Sequence, residues 1–358
     1  MGSIQLSEET KLALSKFSLP EEVGFGTTIA PIMIECDYQN EHWSNLSVKP
    51  FAPISICPTA KVFHYGQEIF EGLKAYKSPN GDALLFRPEE NANRFNHSAR
   101  RMAMPEVPVE LFTQSCELMT DLCRDFIPSA SGSSLYLRPF MFATETSLGI
   151  KPSDSFKFMV LASPSGSYFK TGGVNVYIER NAVRACPGGV GTAKTGGNYA
   201  ASLLSSKEAF KRNCQQTLWL DALHHELIEE MSGMNFMFVE NNTIVTPTLT
   251  DTILAGITRK SVLELGKSKG MKVEERPVKI NDLLEKIKTG EVSEAFACGT
   301  AAIITPIEKL VEADGTEYPL KNTEEKISLK LRQDLLNIQE GKENGPQGWS
   351  VTVKKHQL

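Results

Sequence analysis

Lys194 lies in a run of glycines and small residues, Pro187-Gly-Gly-Val-Gly-Thr-Ala-Lys-Thr-Gly-Gly-Asn-Tyr199, and is the one ionised side chain there. Glycine permits tight turns and a close approach of backbone that a Cβ would block. A lysine enclosed in this way loses hydration, so its pKa falls and the free amine can attack a carbonyl. Asn198-Tyr199 opens a helical stretch, placing a phenol one short turn from the amine. The chemistry suggested is that of a Schiff-base lysine.

Two rival readings compete with it. A glycine-rich surface turn with an incidental lysine needs no function at all. A nucleotide-binding P-loop needs Gly-x-x-x-x-Gly-Lys-Ser/Thr, and Gly188 to Thr195 fits except that Ala193 stands at the second glycine. Thr217-Leu-Trp-Leu-Asp221 even imitates an apolar strand ending in a magnesium-binding Asp. The alanine is a serious defect, and Asn181 to Pro187 is too mixed to be the apolar strand that should lead into such a loop. The P-loop ranks low.

A lysine–carbonyl adduct is most powerful when the carbonyl belongs to pyridoxal phosphate, whose ring is an electron sink. That cofactor needs an anion at the ring nitrogen, a cation and N–H donors at the phosphate, and a hydrogen-bonding partner at the ring oxygen. Glu230, entering an otherwise apolar strand, is the best anion, although a strand-end surface acid is an even competitor. Glu229 alternates to the opposite face and is expected to be solvated. Gly256-Ile257-Thr258-Arg259 starts a helix after a glycine, and helix N-termini suit a dianion. Gly299-Thr300-Ala301 interrupts an apolar strand and offers a hydroxyl and amides. Arg94 could reach a phosphate, although sequence alone favours an i−4 pair with Glu90. In Leu135-Tyr136-Leu137-Arg138-Pro139 the period of two places Tyr136 and Arg138 on one strand face, a phenol beside a fork for carboxylate.

The elements that must position these residues form an α+β chain. Thr27 to Asp37, Ala83 to Phe86, Ser134 to Thr144 and Phe156 to Ala162 read as strands, with helices from Pro88 to Met102 and Val109 to Phe126. Ser163 to Gly173, rich in Ser, Gly and Pro, reads as an interdomain linker. It separates an N-terminal small domain, residues 1–162, from a C-terminal large domain, residues 174–358, that carries the lysine. In the second part, strands are expected over Val174 to Glu179, Thr217 to Leu220 and Ala295 to Ile304. A hairpin of Leu227 to Val239 with Thr243 to Pro247 turns at Glu240-Asn-Asn. Helices are expected over Tyr199 to Arg212, Thr258 to Lys269, Asn281 to Lys288 and Glu324 to Gln339.

At 358 residues the chain exceeds one average core, which makes two domains the default. An apolar content of 41% with 23% charged residues is ordinary for a globular protein, and a net charge of −5 gives no footprint for nucleic acid. No apolar run is long enough to cross a bilayer, and the first residues show neither a signal nor a transit pattern. A cytoplasmic location is expected. Seven scattered cysteines and six histidines lack any metal-ligand spacing, so no metal site is expected.

Taken together, the motifs make the sequence resemble the branched-chain amino acid aminotransferases, pyridoxal phosphate enzymes of fold type IV. The resemblance covers nearly the whole chain. It is carried by Phe63-His-Tyr-Gly-Gln-Glu-Ile-Phe-Glu-Gly-Leu-Lys-Ala-Tyr76, Leu85-Phe-Arg-Pro88 with Asn93-Arg94, and Leu135-Tyr-Leu-Arg-Pro139. It continues through Gly188-Gly-Val-Gly with Lys194-x-Gly-Gly-Asn-Tyr199, Glu230-Met-x-Gly-Met-Asn235, Gly256-Ile-Thr-Arg259 and Gly299-Thr-Ala301.

The resemblance implies a two-domain fold with the cofactor at the domain interface, and a homodimer. Lys194 would bind pyridoxal 5′-phosphate covalently and then shuttle a proton between substrate Cα and cofactor C4′. Tyr199 would bond the ring oxygen and Glu230 would pair with the pyridinium. Arg94, the backbone of Ile257 and Thr258, and Thr300 would hold phosphate. The amides of Thr300 and Ala301, helped by Tyr136, would take the α-carboxylate. Phe25, Tyr65, Phe70 and Met234 would line the side-chain pocket, with Ile150 reaching in from a neighbouring subunit. Arg138 would accept the second carboxylate of glutamate.

The implied reaction is reversible transamination of leucine, isoleucine or valine with 2-oxoglutarate. A D-amino acid aminotransferase or aminodeoxychorismate lyase is the nearest enzyme alternative; a binding module without turnover is another. Gly233 stands where some relatives carry a threonine, and the Cys-x-x-Cys redox switch of vertebrate members is absent after Cys298.

Overall fold

The structure is a computed structural model that describes residues 5–166, 172–320 and 326–355. It divides into two compact units: Met1–Tyr168 with Ala193–Gly196 and Leu336–Leu358, and Phe169–Thr192 with Gly197–Leu335. A single cut within 163–173 therefore does not describe the chain. The short lysine segment and the C-terminal segment both belong to the unit begun by the N-terminus, which is consequently not the smaller of the two. The physical reason for the C-terminal return is strand pairing: Ser350–Thr352 hydrogen-bonds antiparallel to Ala83–Phe86. Ser163 to Ser165 are strand rather than linker, and 167–171 lie outside the described residues.

The first unit is built on an antiparallel sheet. Its order runs Ser350–Thr352, Ala83–Phe86, Leu73–Lys77, Ser134–Ala143, Phe156–Ser165, Ile32–Gln39 and His42–Trp43. Ser47–Pro50 adds to Ile32–Gln39 and Glu68–Phe70 to Ser134–Ala143. Apolar residues recur on the inward faces of Pro88–Arg101 and Val109–Leu122, as helical spacing requires. Phe95 and Phe112 from these helices meet Phe158 of the sheet at ring separations of 5.7 and 6.0 Å. Val109–Leu122 stops short of Phe126, and the last residues tighten into a 3₁₀ turn, Arg124–Phe126.

The second unit holds a mixed sheet in the order Ile228–Met231, Gln216–Leu220, Val174–Glu179, Ile303–Val311, Val292–Gly299, Asn235–Glu240, Thr243–Thr246 and Lys272–Glu275. Asn241 and Asn242 both have positive φ (47° and 62°), the geometry a two-residue hairpin needs. The long strand expected over Leu227 to Val239 is broken at Ser232-Gly-Met234. Ile228–Met231 pairs with Gln216–Leu220, whereas Asn235–Glu240 pairs with Val292–Gly299. The helix expected over Tyr199 to Arg212 is likewise two, Gly196–Ala200 and Leu203–Lys211. Between them the Ser202 hydroxyl donates to Tyr199 O at 2.7 Å, a side-chain bond that competes with helix propagation. The last helix runs Ile327–Gln339, and residue 324 lies outside the described residues. Among the described residues no helix is long and apolar enough to cross a membrane, and no His/Cys/Asp/Glu group could hold a metal ion.

Candidate active site

Lys194 is pinned by its main chain on both sides. Its N–H donates to Ser98 Oγ at 2.9 Å, on helix Pro88–Arg101, and its carbonyl accepts from Phe70 N at 2.9 Å. Thr195 Oγ1 and Gly196 N both donate to Glu68 Oε1, and a Cβ on Gly196 would stand 2.5 Å from that oxygen. The glycine thus leaves room for the Glu68 carboxylate, which a Cβ would push aside. So held, the lysine places Nζ 4.7 Å from the centre of the Phe70 ring.

Beneath it lies Glu71, fully buried. Its carboxylate takes Arg94 Nε at 2.7 Å, Arg94 Nη2 at 2.9 Å, Asn91 Nδ2 at 2.7 Å and its neighbour Gly72 N at 3.1 Å. Burial alone would raise the Glu71 pKa. The charge and hydrogen bonds of Arg94, with the charge of Lys194 and the Asn91 amide, bring it below the usual value instead. Arg94 thus lies bidentate on Glu71, while Glu90, its expected i−4 partner, takes Arg87 at 3.3 Å.

The strand pattern of Tyr136 and Arg138 is as expected: Arg138 Nη2 donates to Tyr136 Oη at 2.9 Å. Gly72 makes room, since a Cβ there would overlap the Tyr136 phenol. Phe25 meets Tyr136 edge-on at 4.9 Å, and the Arg138 guanidinium stands 4.8 Å from the Phe70 ring centre. Lys194 Nζ and the Arg138 guanidinium thus both stand within 5 Å of the Phe70 ring centre, a favourable use of the ring quadrupole. Burial pushes the Glu68 carboxyl up, against the Gly196 N–H, the Thr195 hydroxyl and the charge of Arg138. Tyr65 turns toward the surface, its hydroxyl donating to Leu148 O. Ile150 is 89% exposed, so in a single chain it faces solvent.

In the second unit Glu230 is no surface acid. Its side chain is 5% exposed, and Arg184 Nη2, itself on a side chain 6% exposed, lies 2.7 Å from Oε1. Asn235 Nδ2 donates to Oε2 at 3.1 Å and also to Leu254 O at 3.0 Å. Gly256 lets this happen, because a Cβ there would overlap Asn235 Oδ1. Glu230 is in this way linked to the start of helix Ile257–Ser268, whose first N–H groups have no intrahelical acceptor. Ile257 and Thr258 are buried at that start; Arg259 instead donates to Pro247 O and pairs with Glu275. Thr300 and Ala301 sit in the tight turn joining Val292–Gly299 to Ile303–Val311, and Ile303 leaves it with φ +63°, a strained setting for a β-branched residue. A Cβ on Gly299 would stand 2.9 Å from Met234 Cγ, and one on Gly233 would meet Tyr199 Cε1 at 4.0 Å. Tyr199, Gly233, Met234 and the 299–301 turn are therefore neighbours.

Glu229 departs from expectation. It is buried, accepts from Thr252 Oγ1 at 2.5 Å, and burial pushes its carboxyl up against the Thr252 bond and the Arg184 charge. Alternation failed here because both faces of this strand are covered. Sequence reasoning also missed Arg184, Asn235, Glu68 and the counter-charge role of Glu71. Only Glu71 carried a signal, as an acid between Phe70 and Gly72 in the link from Glu68–Phe70 to Leu73–Lys77.

The sequence matches the family described as amino-transferase class IV over residues 68–310. It is 45% identical over 338 residues to the branched-chain-amino-acid aminotransferase of Mycolicibacterium smegmatis, covering 92% of each chain. To that of Mycobacterium tuberculosis it is 43% identical over 345 residues, covering 94% of each. A branched-chain aminotransferase from Thermoproteus uzoniensis, crystallised with norvaline, superposes with a TM-score of 0.74 at 24% identity, over 90% of this chain and 100% of that one. The T.th. branched-chain amino acid aminotransferase complexed with N-(5′-phosphopyridoxyl)-L-glutamate gives 0.70 at 26% identity, over 93% and 99%. The chain belongs to the class IV aminotransferases, and the resemblance and two-domain α+β fold read from its motifs are borne out.

Proposed function

We propose that this chain catalyses reversible transamination of L-leucine, L-isoleucine and L-valine with 2-oxoglutarate, giving branched-chain 2-oxo acids and L-glutamate, with pyridoxal 5′-phosphate bound at Lys194. The observation that carries the reading is the setting of that lysine: main chain fixed on both sides, amine over Phe70, and a buried carboxylate supplying counter-charge. The names of the relatives support the substrate class, and the phosphopyridoxyl complex of the T.th. enzyme supports the cofactor.

The donors suit that cofactor. The first unit supplies an amine (Lys194); the second supplies a phenol (Tyr199), a buried carboxylate (Glu230) and helix-start N–H groups at Ile257 and Thr258 behind Gly256, where a Cβ would meet Asn235 Oδ1. When bound, pyridoxal phosphate supplies the carbonyl and an electron-withdrawing ring. Lys194 Nζ would take the proton from substrate Cα and return it. Glu230 would serve the ring nitrogen and Tyr199 the ring oxygen. Arg94, Ile257, Thr258 and Thr300 would hold the phosphate. In the second unit Thr300 and Ala301 would take the α-carboxylate and Met234 would face an apolar side chain; in the first, Tyr136 would serve the carboxylate and Phe25, Tyr65 and Phe70 the apolar group. Arg138, a cation against an aromatic face, meets the second carboxylate of glutamate or 2-oxoglutarate, so one pocket serves both substrate types.

The exposed Ile150, with Leu148 exposed two residues before it, is read as the part of a homodimer that completes a neighbour's pocket. A cytoplasmic location accompanies this reading. Purified protein should be yellow, and borohydride should bleach the colour and label one peptide containing Lys194. A colourless protein that stays colourless when given pyridoxal phosphate overturns the assignment. Activity on D-alanine in place of L-leucine would move it to a D-amino acid aminotransferase.

A further inference from the structure

Glu230 needs explaining before it can serve a ring nitrogen. A carboxylate at 5% exposure is costly to keep ionised without a partner. Its natural alternative is to hold a proton itself, and a protonated carboxyl no longer favours a charged pyridinium. Arg184 removes that alternative. Its Nη2 lies 2.7 Å from Glu230 Oε1. The same nitrogen donates to Gly191 O at 3.3 Å and to Thr252 O. Gly191 is itself pressed onto this loop, since a Cβ there would stand 2.7 Å from Thr252 Cα. One guanidinium thus ties the carboxylate to two loop carbonyls, and its charge also reaches Glu229.

We propose that Arg184 is a positioning residue that holds Glu230 ionised and oriented, so that the shared proton resides on the ring nitrogen of bound pyridoxal phosphate. This rests on the reading above that Glu230 faces that nitrogen. The electrostatic argument is a difference of distances. Arginine touches the carboxylate directly, so it stabilises the anionic carboxylate more than it repels a pyridinium on the carboxylate's other side. Removing the guanidinium leaves a buried pair in which the neutral arrangement, proton on Glu230 and ring nitrogen bare, becomes favoured.

The experiment uses the full chain loaded with pyridoxal phosphate labelled with 15N in the ring. The 15N chemical shift reports whether that atom carries a proton, and a dialysis titration gives the cofactor dissociation constant. In the parent protein the nitrogen should be protonated. Arg184→Met should move the shift toward the unprotonated position and weaken cofactor binding roughly 10- to 100-fold, the range for removing a hydrogen-bond partner of a ligating group. Arg184→Lys, which keeps the charge, should restore most of the shift. Glu230→Gln should lose the protonated signal outright, and adding Arg184→Met to it should change the shift no further. That double variant also removes the unpaired charge, so it reports even where Arg184→Met alone folds poorly. A nitrogen that stays protonated in Arg184→Met, or a further change in the double variant, overturns the inference. If the parent protein takes up no cofactor, the failure lies in the proposed function.

Discussion

Each unit buries one glutamate against one arginine, and the two pairs are built differently. Glu71 is surrounded by four donors and is wholly buried, whereas Arg94, which supplies two of them, remains 11% exposed at its side chain. Glu230 and Arg184 are equally buried, and the arginine divides one nitrogen among a carboxylate and two carbonyls. In the first pair the cation is the member nearer solvent, as the proposed phosphate contact of Arg94 requires. In the second neither is presented outward, as the proposed holding of Glu230 requires. Equal chemistry is thus buried to different depths in the two units.

The severest test of the first unit is Lys194→Ala. It should leave the fold and the Glu71 pair standing but cut turnover by about 10⁴-fold or more, the upper range for a positioned proton-transfer group. Steady-state rates with L-leucine check this, and near-parent turnover sinks the lysine's role. Breaking the Glu71 pair should act on stability instead. Glu71→Ala removes the buried carboxylate on which Arg94 Nε and Nη2 lie, at a cost of about 3–5 kcal/mol. The melting midpoint should fall by roughly 10 °C, at about 2–4 °C per kcal/mol. An unshifted midpoint would mean that the pair is solvated.

Titration separates the carboxylates further. The Glu71 pKa is lowered in the fold, so its contribution is full above its ordinary value of 4.5 and is lost as pH falls through the lower folded value. Glu229 has the opposite sign, being raised from 4.5, so its stabilising protonated form is lost as pH rises through the folded value. Glu229→Gln keeps an acceptor for Thr252 and removes the ionisation. It should raise the melting midpoint near pH 8 by a few degrees and leave it unchanged near pH 4. A lower midpoint near pH 8 would show that Glu229 is needed as an anion. The smallest effect is expected at Gly233→Ala. The new methyl meets only Tyr199 Cε1 at 4.0 Å, so stability should hold within about 0.5 kcal/mol while preference shifts toward smaller side chains. A loss of stability would mean that glycine is required there by backbone.

Much of both units was legible where signals are local. Ala83–Phe86 in the first and Val174–Glu179 in the second fall where composition places them, and the Tyr136–Arg138 face follows from alternation. Lys194 was legible from its glycines. What sequence could not supply were partners brought from distant segments: Arg184 to Glu230, Glu71 to Arg94, and Ser98 to the Lys194 backbone. Alternation also misled at Glu229, since it assumes one wet face and this strand has none. Short elements such as Lys61–Tyr65 and Glu68–Phe70 escaped because their lengths fall below any periodic signal.

The edge strand Ser350–Thr352 closes the first sheet from the far end of the sequence. During synthesis that sheet must therefore wait, with Ala83–Phe86 unpaired on one side, until every residue of the second unit has left the ribosome. An open strand edge is a template for the wrong partner, so nascent chains of this protein should need shielding by chaperones for longer than their first half alone suggests.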